Sequence, residues 1–173
     1  MELILIRHTR LAIEKGTCYG QSEVPVSSTF EKEKNQILKN ITSLDAHIIS
    51  SPLKRCTKLA NCISKKYQID NRIMELNFGN WEMQKWDEIK DVELDIWMNN
   101  YIEHRCPNGE SLLDMKDRVQ QFYNELKLQN HKKVIIITHG GVIRLLYHLI
   151  EGVELDKIFN LKIDFGETHR FII

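Results

Sequence analysis

Residues 134–144, Val-Ile-Ile-Ile-Thr-His-Gly-Gly-Val-Ile-Arg, run from an unbroken apolar stretch directly into a histidine and two glycines. A strand with one wet face alternates in polarity; Val134 to Ile137 do not alternate, which marks a strand covered on both faces, as in a parallel sheet between layers of helices. The same arrangement opens the chain, where Leu3-Ile4-Leu5-Ile6 ends at Arg7-His8. Two buried strands therefore each stop at a histidine.

Working outward, residues 9–28 form a polar stretch with Gly16, Gly20 and Pro25, a length of irregular chain that commonly walls a site. Ser28 and Glu31 make a capping-box pattern, and Ile37, Ile41 and Leu44 recur at helical spacing, which predicts a helix over roughly 29 to 44. Ala46 to Ser50 reads as a short strand. Ser51-Pro52 then reads as an N-cap with proline at the first helical position of a helix continued by Cys56, Leu59, Ile63 and Tyr67, with Arg55 in its first turn. Another short strand is expected at 72–76, followed by a turn at Phe78-Gly79-Asn80-Trp81 into a Trp-rich helical region that ends before Pro107. Ser111 with Asp114 resembles a cap, and Leu112, Met115, Val119, Phe122 and Leu126 keep the spacing of an amphipathic helix. A helix with Leu145, Leu146 and Leu149 follows Gly140-Gly141, and the tail, about 158 to 173, reads as two strands around a turn at Gly166. Strands alternating with helices give a three-layer α/β/α sandwich with a mostly parallel central sheet. No Gly/Ser/Pro-rich break divides the chain, so residues 1–173 are expected to form one domain.

Composition narrows the function. With 42% hydrophobic and 28% charged residues the chain is of ordinary globular type, and 24 basic against 24 acidic residues leave no net field to attract nucleic acid or anionic lipid. The apolar run Leu3–Ile6 is too short for a signal peptide, and no segment reaches membrane-spanning length, so a cytoplasmic protein is expected. Cys18, Cys56, Cys62 and Cys106 lack the close pairing of zinc sites and read as reduced thiols. No GxSxG elbow or GxxxxGK[ST] loop is present.

In parallel sheets, ligands bind beyond the carboxyl ends of the strands, where strand order reverses. If the two apolar strands are neighbours, about 4.8 Å apart, His8 and His139 face one pocket that Arg7 and Arg55 also reach. Buried like charges demand a compensating anion, and phosphate fits. Imidazole, with a pKa of about 6.5, is substantially neutral near pH 7 and can attack phosphorus; guanidinium groups and a second imidazole can bind the phosphoryl oxygens. A carboxyl group can protonate the leaving alkoxide. Spacing alone leaves Glu75, Glu82 and Asp87 as candidates for that carboxyl. Backbone N–H groups at Gly140-Gly141 can bind an anion as well as start a helix. Gln21 reads either as a turn residue or as a substrate contact. The tryptophans either stack on a heterocycle or fill a core, and core is the preferred reading for Trp86 and Trp97.

These motifs resemble the histidine phosphatase, or phosphoglycerate-mutase-like, superfamily from end to end. LILIRHT stands for the opening signature, with Thr9 where glycine is usual; SSPLKRC carries the second arginine, MELNFGNWE the acid and VIIITHGGVIR the second histidine. The resemblance implies that His8 becomes phosphohistidine, that Arg7, Arg55 and His139 bind the phosphoryl group, that Glu75 is the proton donor, and that no metal or other cofactor takes part. CYGQSEVPVS, ELNFGNWEMQKWDEI and PNGES are similar to the α-ribazole phosphatase branch, which implies α-ribazole 5′-phosphate as substrate and cobalamin assembly as setting, with Gln21, Trp81 and Glu110 near the leaving group. A broad phosphomonoesterase, a phosphoglycerate mutase and a non-catalytic phosphate-binding module are the alternatives; the compact stretch from Trp81 to Pro107 argues against a mutase. The expected partner is a small-molecule phosphomonoester, with the chain a monomer or homodimer.

Overall fold

The computed structural model describes residues 1–41 and 45–173. Strand β1 (Glu2–Arg7) is followed by helix α1 (Phe30–Asn40), β2 (His47–Ser50), α2 (Lys54–Ile63) and the two-residue β3 (Gln68–Ile69). Short 3-10 helices at Asn71–Ile73 and Gly79–Trp81 lead to α3 (Val92–Asn99), α4 (Leu112–Leu128), β4 (Lys133–Thr138), α5 (Gly140–Glu151), a further 3-10 helix at Leu155–Asn160, and β5 (Thr168–Ile172). The sheet order is β3-β2-β4-β1-β5, parallel throughout except for β5, which pairs antiparallel with β1.

The apolar strands bury both faces. Leu3, Leu5, Val134 and Ile136 pack against α4 and α5, whereas Ile4, Ile6, Ile135 and Ile137 pack against α1 and α2. Each such side chain contributes roughly 1.5–3 kcal/mol on burial, which is why the pattern dictates three layers. A third, smaller cluster of Cys18, Trp81, Ile89, Leu94 and Cys106 supports the Trp-rich segment beside the sheet ends. β1 leads away to β2 on one side of β4, while β4 leads to β5 on the other side of β1, so strand order reverses between β1 and β4. Arg7 pairs in register with Thr138, which brings His8 and His139 to the same edge.

Several local expectations are corrected. The first helix begins at Phe30 behind Thr29 with no side-chain cap, Thr29 donating to Glu33 instead (2.5 Å), so the Ser28–Glu31 box does not form. Its expected continuation to Leu44 falls on residues 42–44, outside the described residues. Helix α2 starts at Lys54 and not at Pro52: Leu53 is extended and its carbonyl accepts the first helical N–H groups, while Ser51 accepts from His139. Residues 72–76 are not a strand: Asp70 accepts from the Arg72 N–H (2.9 Å) and caps a 3-10 turn. In the tail only Thr168–Ile172 pairs with the sheet, and the 3-10 helix and residues 161–167 run past the strand ends. By contrast, Ser111 and Asp114 make a complete capping box for α4.

Candidate active site

His8 leaves β1 with its ring buried. Its Nδ1 lies 2.8 Å from the Thr9 carbonyl oxygen, which only accepts, so Nδ1 carries the proton and Nε2 keeps a free lone pair. Burial above all, then the charges of Arg55 and Arg7, holds the imidazole well below its ordinary pKa, against the opposing effect of the Thr9 bond. The ring stands edge-on to that of His139, with centroids 5.2 Å apart.

His139 occupies the position before α5 and is fully buried. Arg55 Nε donates to its Nδ1 (3.3 Å), which fixes the proton on Nε2 for donation to Ser51 Oγ (2.7 Å). Burial first, then His8, Arg55, Arg7 and Arg118, lowers its pKa well below the usual value. The Arg55 guanidinium also donates to the carbonyls of Ser22 (2.8 Å) and Gly20, tying the 9–28 loop to the site. That close approach needs Gly20, where a Cβ would stand 1.8 Å from the Leu76 carbonyl oxygen. Arg7 donates to the Ile163 carbonyl (2.6 Å) and lies 3.8 Å above the Phe165 ring, while its Nε is buried with no hydrogen-bond partner among the described residues.

A cavity of about 350 Å³ opens beside these groups, with Arg7, His8, Glu75 and Gly141 in its lining, whereas Arg55 and His139 interact with His8 without lining the cavity. The Glu75 carboxylate accepts from Leu76 N and Gly141 N, each at 3.1 Å. Its rivals lie elsewhere. Glu82 is saturated by the backbone N–H groups of Gln21 (2.8 Å), Ser22 (2.6 Å) and Phe78 (3.1 Å) and by the Ser22 hydroxyl, and Asp87 is exposed.

Residues 3–172 match the profile of the histidine phosphatase superfamily (branch 1). The chain belongs to this superfamily. It is an enzyme acting as a phosphatase. Among its relatives is the adenosylcobalamin/α-ribazole phosphatase of Escherichia coli K12, 28% identical over 179 residues that cover 96% of this chain and 87% of that one. A Hydrogenobacter thermophilus protein named for phosphoserine phosphatase activity is 26% identical over 171 residues, covering 94% of this chain and 84% of its own. The crystal structure of the α-ribazole phosphatase from Shigella flexneri shares the fold with a TM-score of 0.90 at 23% identity, covering 100% of this chain and 91% of that one. Among the described residues no helix is long and apolar enough to cross a membrane.

Within this phosphatase the remaining predicted residues separate. Gln21 does not line the cavity; its amide donates to the Glu75 carbonyl (3.1 Å) and so belongs to the framework. Glu110 is likewise removed from the cavity, paired with Arg118. The tryptophans exchange roles: Trp81 is buried with its Nε1 donating to Asp91 (2.9 Å), whereas Trp86 and Trp97 line the cavity, nearly parallel with centroids 5.9 Å apart. Their shared spacing did not separate wall from core, because the choice depends on which face of the segment meets the sheet ends. Tyr19 and Arg144 also line the cavity. Burial raises the Tyr19 pKa. Arg144 donates from Nε to the Leu161 carbonyl (3.1 Å), and burial lowers its pKa. Arg144 lies four residues beyond Gly140, one helical turn into α5, and that placement is the sequence signal that points to it.

Proposed function

We propose that this phosphatase hydrolyses small phosphomonoesters through a phosphohistidine on His8, with α-ribazole 5′-phosphate as its substrate. The reading rests first on the His8 ring, whose hydrogen bond to Thr9 leaves a neutral Nε2 lone pair for in-line attack on phosphorus. Arg7 and Arg55 bring two guanidinium charges to that ring, as the spreading charge of a transferring phosphoryl group requires, and for His139 to serve an equatorial oxygen its Nε2–H must turn from Ser51. Glu75 protonates the departing alkoxide and then takes a proton from the water that attacks phosphohistidine. The N–H of Gly141, already aimed at the Glu75 carboxylate, lies at the same end of the cavity.

The wall of Phe78, Trp86 and Trp97 supports a planar, largely apolar leaving group, and the benzimidazole of α-ribazole is one. A relative named for this substrate adds to the case. One observation favours a second reading: Arg144 lines the cavity with no carboxylate partner among the ion pairs of the described residues, as suits a leaving group with its own carboxylate, such as phosphoserine. Steady-state kcat/KM on a panel of α-ribazole phosphate, phosphoserine, 3-phosphoglycerate and simple alkyl phosphates separates the two. The proposal expects α-ribazole phosphate to lead by at least about tenfold, and a lead for the carboxylated esters would overturn it.

A further inference from the structure

Arg118 lies outside the cavity, yet every one of its guanidinium N–H groups is engaged, three on the segment that carries Glu75 and two on Glu110. Nε and Nη2 clasp the two oxygens of Glu110, each at 2.8 Å. Nη1 donates to the carbonyls of Arg72 and Met74, both at 2.7 Å, and Nη2 to that of Glu75 at 2.9 Å. Glu110 in turn accepts from the Asn77 N–H (2.9 Å), and its own N–H donates to the Asn77 carbonyl (2.8 Å). The carbonyls just before and at Glu75, and the peptide two residues beyond it, are thus held from one side by a single ion pair.

This segment has little regular structure to hold it. Past the 3-10 turn at Asn71–Ile73 it makes no sheet pairing, so side chains must supply the restraint that a ladder gives elsewhere. The capping box of Ser111 and Asp114 fixes the start of α4, with Glu110 immediately before it and Arg118 two turns along. Arg118 therefore stands on the most regular element near the site, and Glu110 directly precedes its cap. The Cα–Cβ direction of Glu75 follows from its anchored backbone, and the Gly141 N–H donates to the carboxylate at the far end.

We propose that Arg118, clasped by Glu110, is the positioning residue for the Glu75 carboxyl in proton transfer to the leaving group. The inference rests on the reading of Glu75 as proton donor. An apolar partner or a lysine cannot replace the fork: lysine keeps the charge but presents three donors from a single point, too few to hold two carboxylate oxygens and three carbonyls. Misplacing a general acid slows only those esters whose leaving group needs the proton.

The test compares Arg118→Lys and Glu75→Gln with the wild-type enzyme, using kcat/KM for an alkyl phosphate and for 2,4-dinitrophenyl phosphate, whose phenolate departs without protonation. Arg118→Lys is expected to lower kcat/KM on the alkyl ester by about 10- to 100-fold and on the dinitrophenyl ester by less than about 3-fold, in the pattern of Glu75→Gln. A smaller folded fraction lowers both rates together, so their ratio reports the chemistry alone. If that ratio shifts for Glu75→Gln and not for Arg118→Lys, the positioning role is overturned. If it shifts for neither, Glu75 is not the donor and both readings fall.

Discussion

At His8 the bond from Nδ1–H to the Thr9 carbonyl and the burial of the ring act together: one sets the tautomer, the other keeps the ring uncharged. His139 is held neutral by the same means, with Arg55 fixing its tautomer. Both folded-state pKa values lie below the value near 6.5 that an unfolded histidine has. As pH falls through 6.5, the unfolded chain therefore takes up protons that the folded chain refuses, and stability is lost toward acid. Each histidine contributes a slope of at most about 1.4 kcal/mol per pH unit. Urea unfolding without phosphate should show a lower free energy at about pH 5.5 than at about pH 7, and replacing both rings by asparagine should flatten the difference. An equal slope in the double variant would show that other groups are responsible. These two histidines and the two arginines were legible because each closes a conspicuous apolar strand or opens a helix. Glu75 was not separable from Glu82 by spacing; only the structure shows Glu82 saturated by backbone donors.

Helix α5 begins at the site, and its first turn is shaped around a carboxylate. A Cβ on Gly141 would stand 2.2 Å from Glu75 Oε1 and 3.2 Å from Met115 Cε. Gly141→Ala should therefore displace the Glu75 carboxyl and lower kcat/KM for alkyl phosphates by at least about tenfold. The helix itself favours alanine by up to about 1 kcal/mol, so a melting temperature held or raised alongside the lost activity is the expected signature. Helix α4 depends on its cap: Ser111→Ala should cost about 1 kcal/mol in chemical denaturation, with the Glu75 segment loosened because Glu110 precedes the cap. This cap was readable in sequence, since Ser111 and Asp114 stand three residues apart at the head of a clear apolar periodicity, and the Asp114 oxygen that Arg105 takes is not the one that serves the cap. At Ser51-Pro52 the same reasoning failed. The serine serves His139, a residue 88 positions away, and no local pattern reports such a bond. The tail failed for a related reason: residues before Gly166 supply carbonyls to Arg7 and Arg144 rather than a strand to the sheet.

For the whole molecule, the order β3-β2-β4-β1-β5 gathers the chemistry by reversing between two strands whose last residues share one register. The three-layer architecture could be read from Leu3–Ile6 and Val134–Ile137 because both faces of each strand must be covered. The cavity's outer wall could not, since Trp86, Trp97 and Arg144 meet only after the segment folds over the sheet ends. Trp97→Ala should raise KM for an aromatic or heterocyclic ester by about tenfold and leave KM for a small alkyl phosphate within about twofold, measured by initial rates. The proposed hydrolysis passes through covalent phosphorylation of one imidazole. Rapid quenching of the enzyme during turnover of a labelled phosphomonoester, followed by peptide mapping under alkaline conditions, reads this directly. The label should be acid-labile and confined to His8, and His8→Ala should carry none while losing at least about 10³-fold in kcat; label on another residue, or turnover undiminished in His8→Ala, would contradict it.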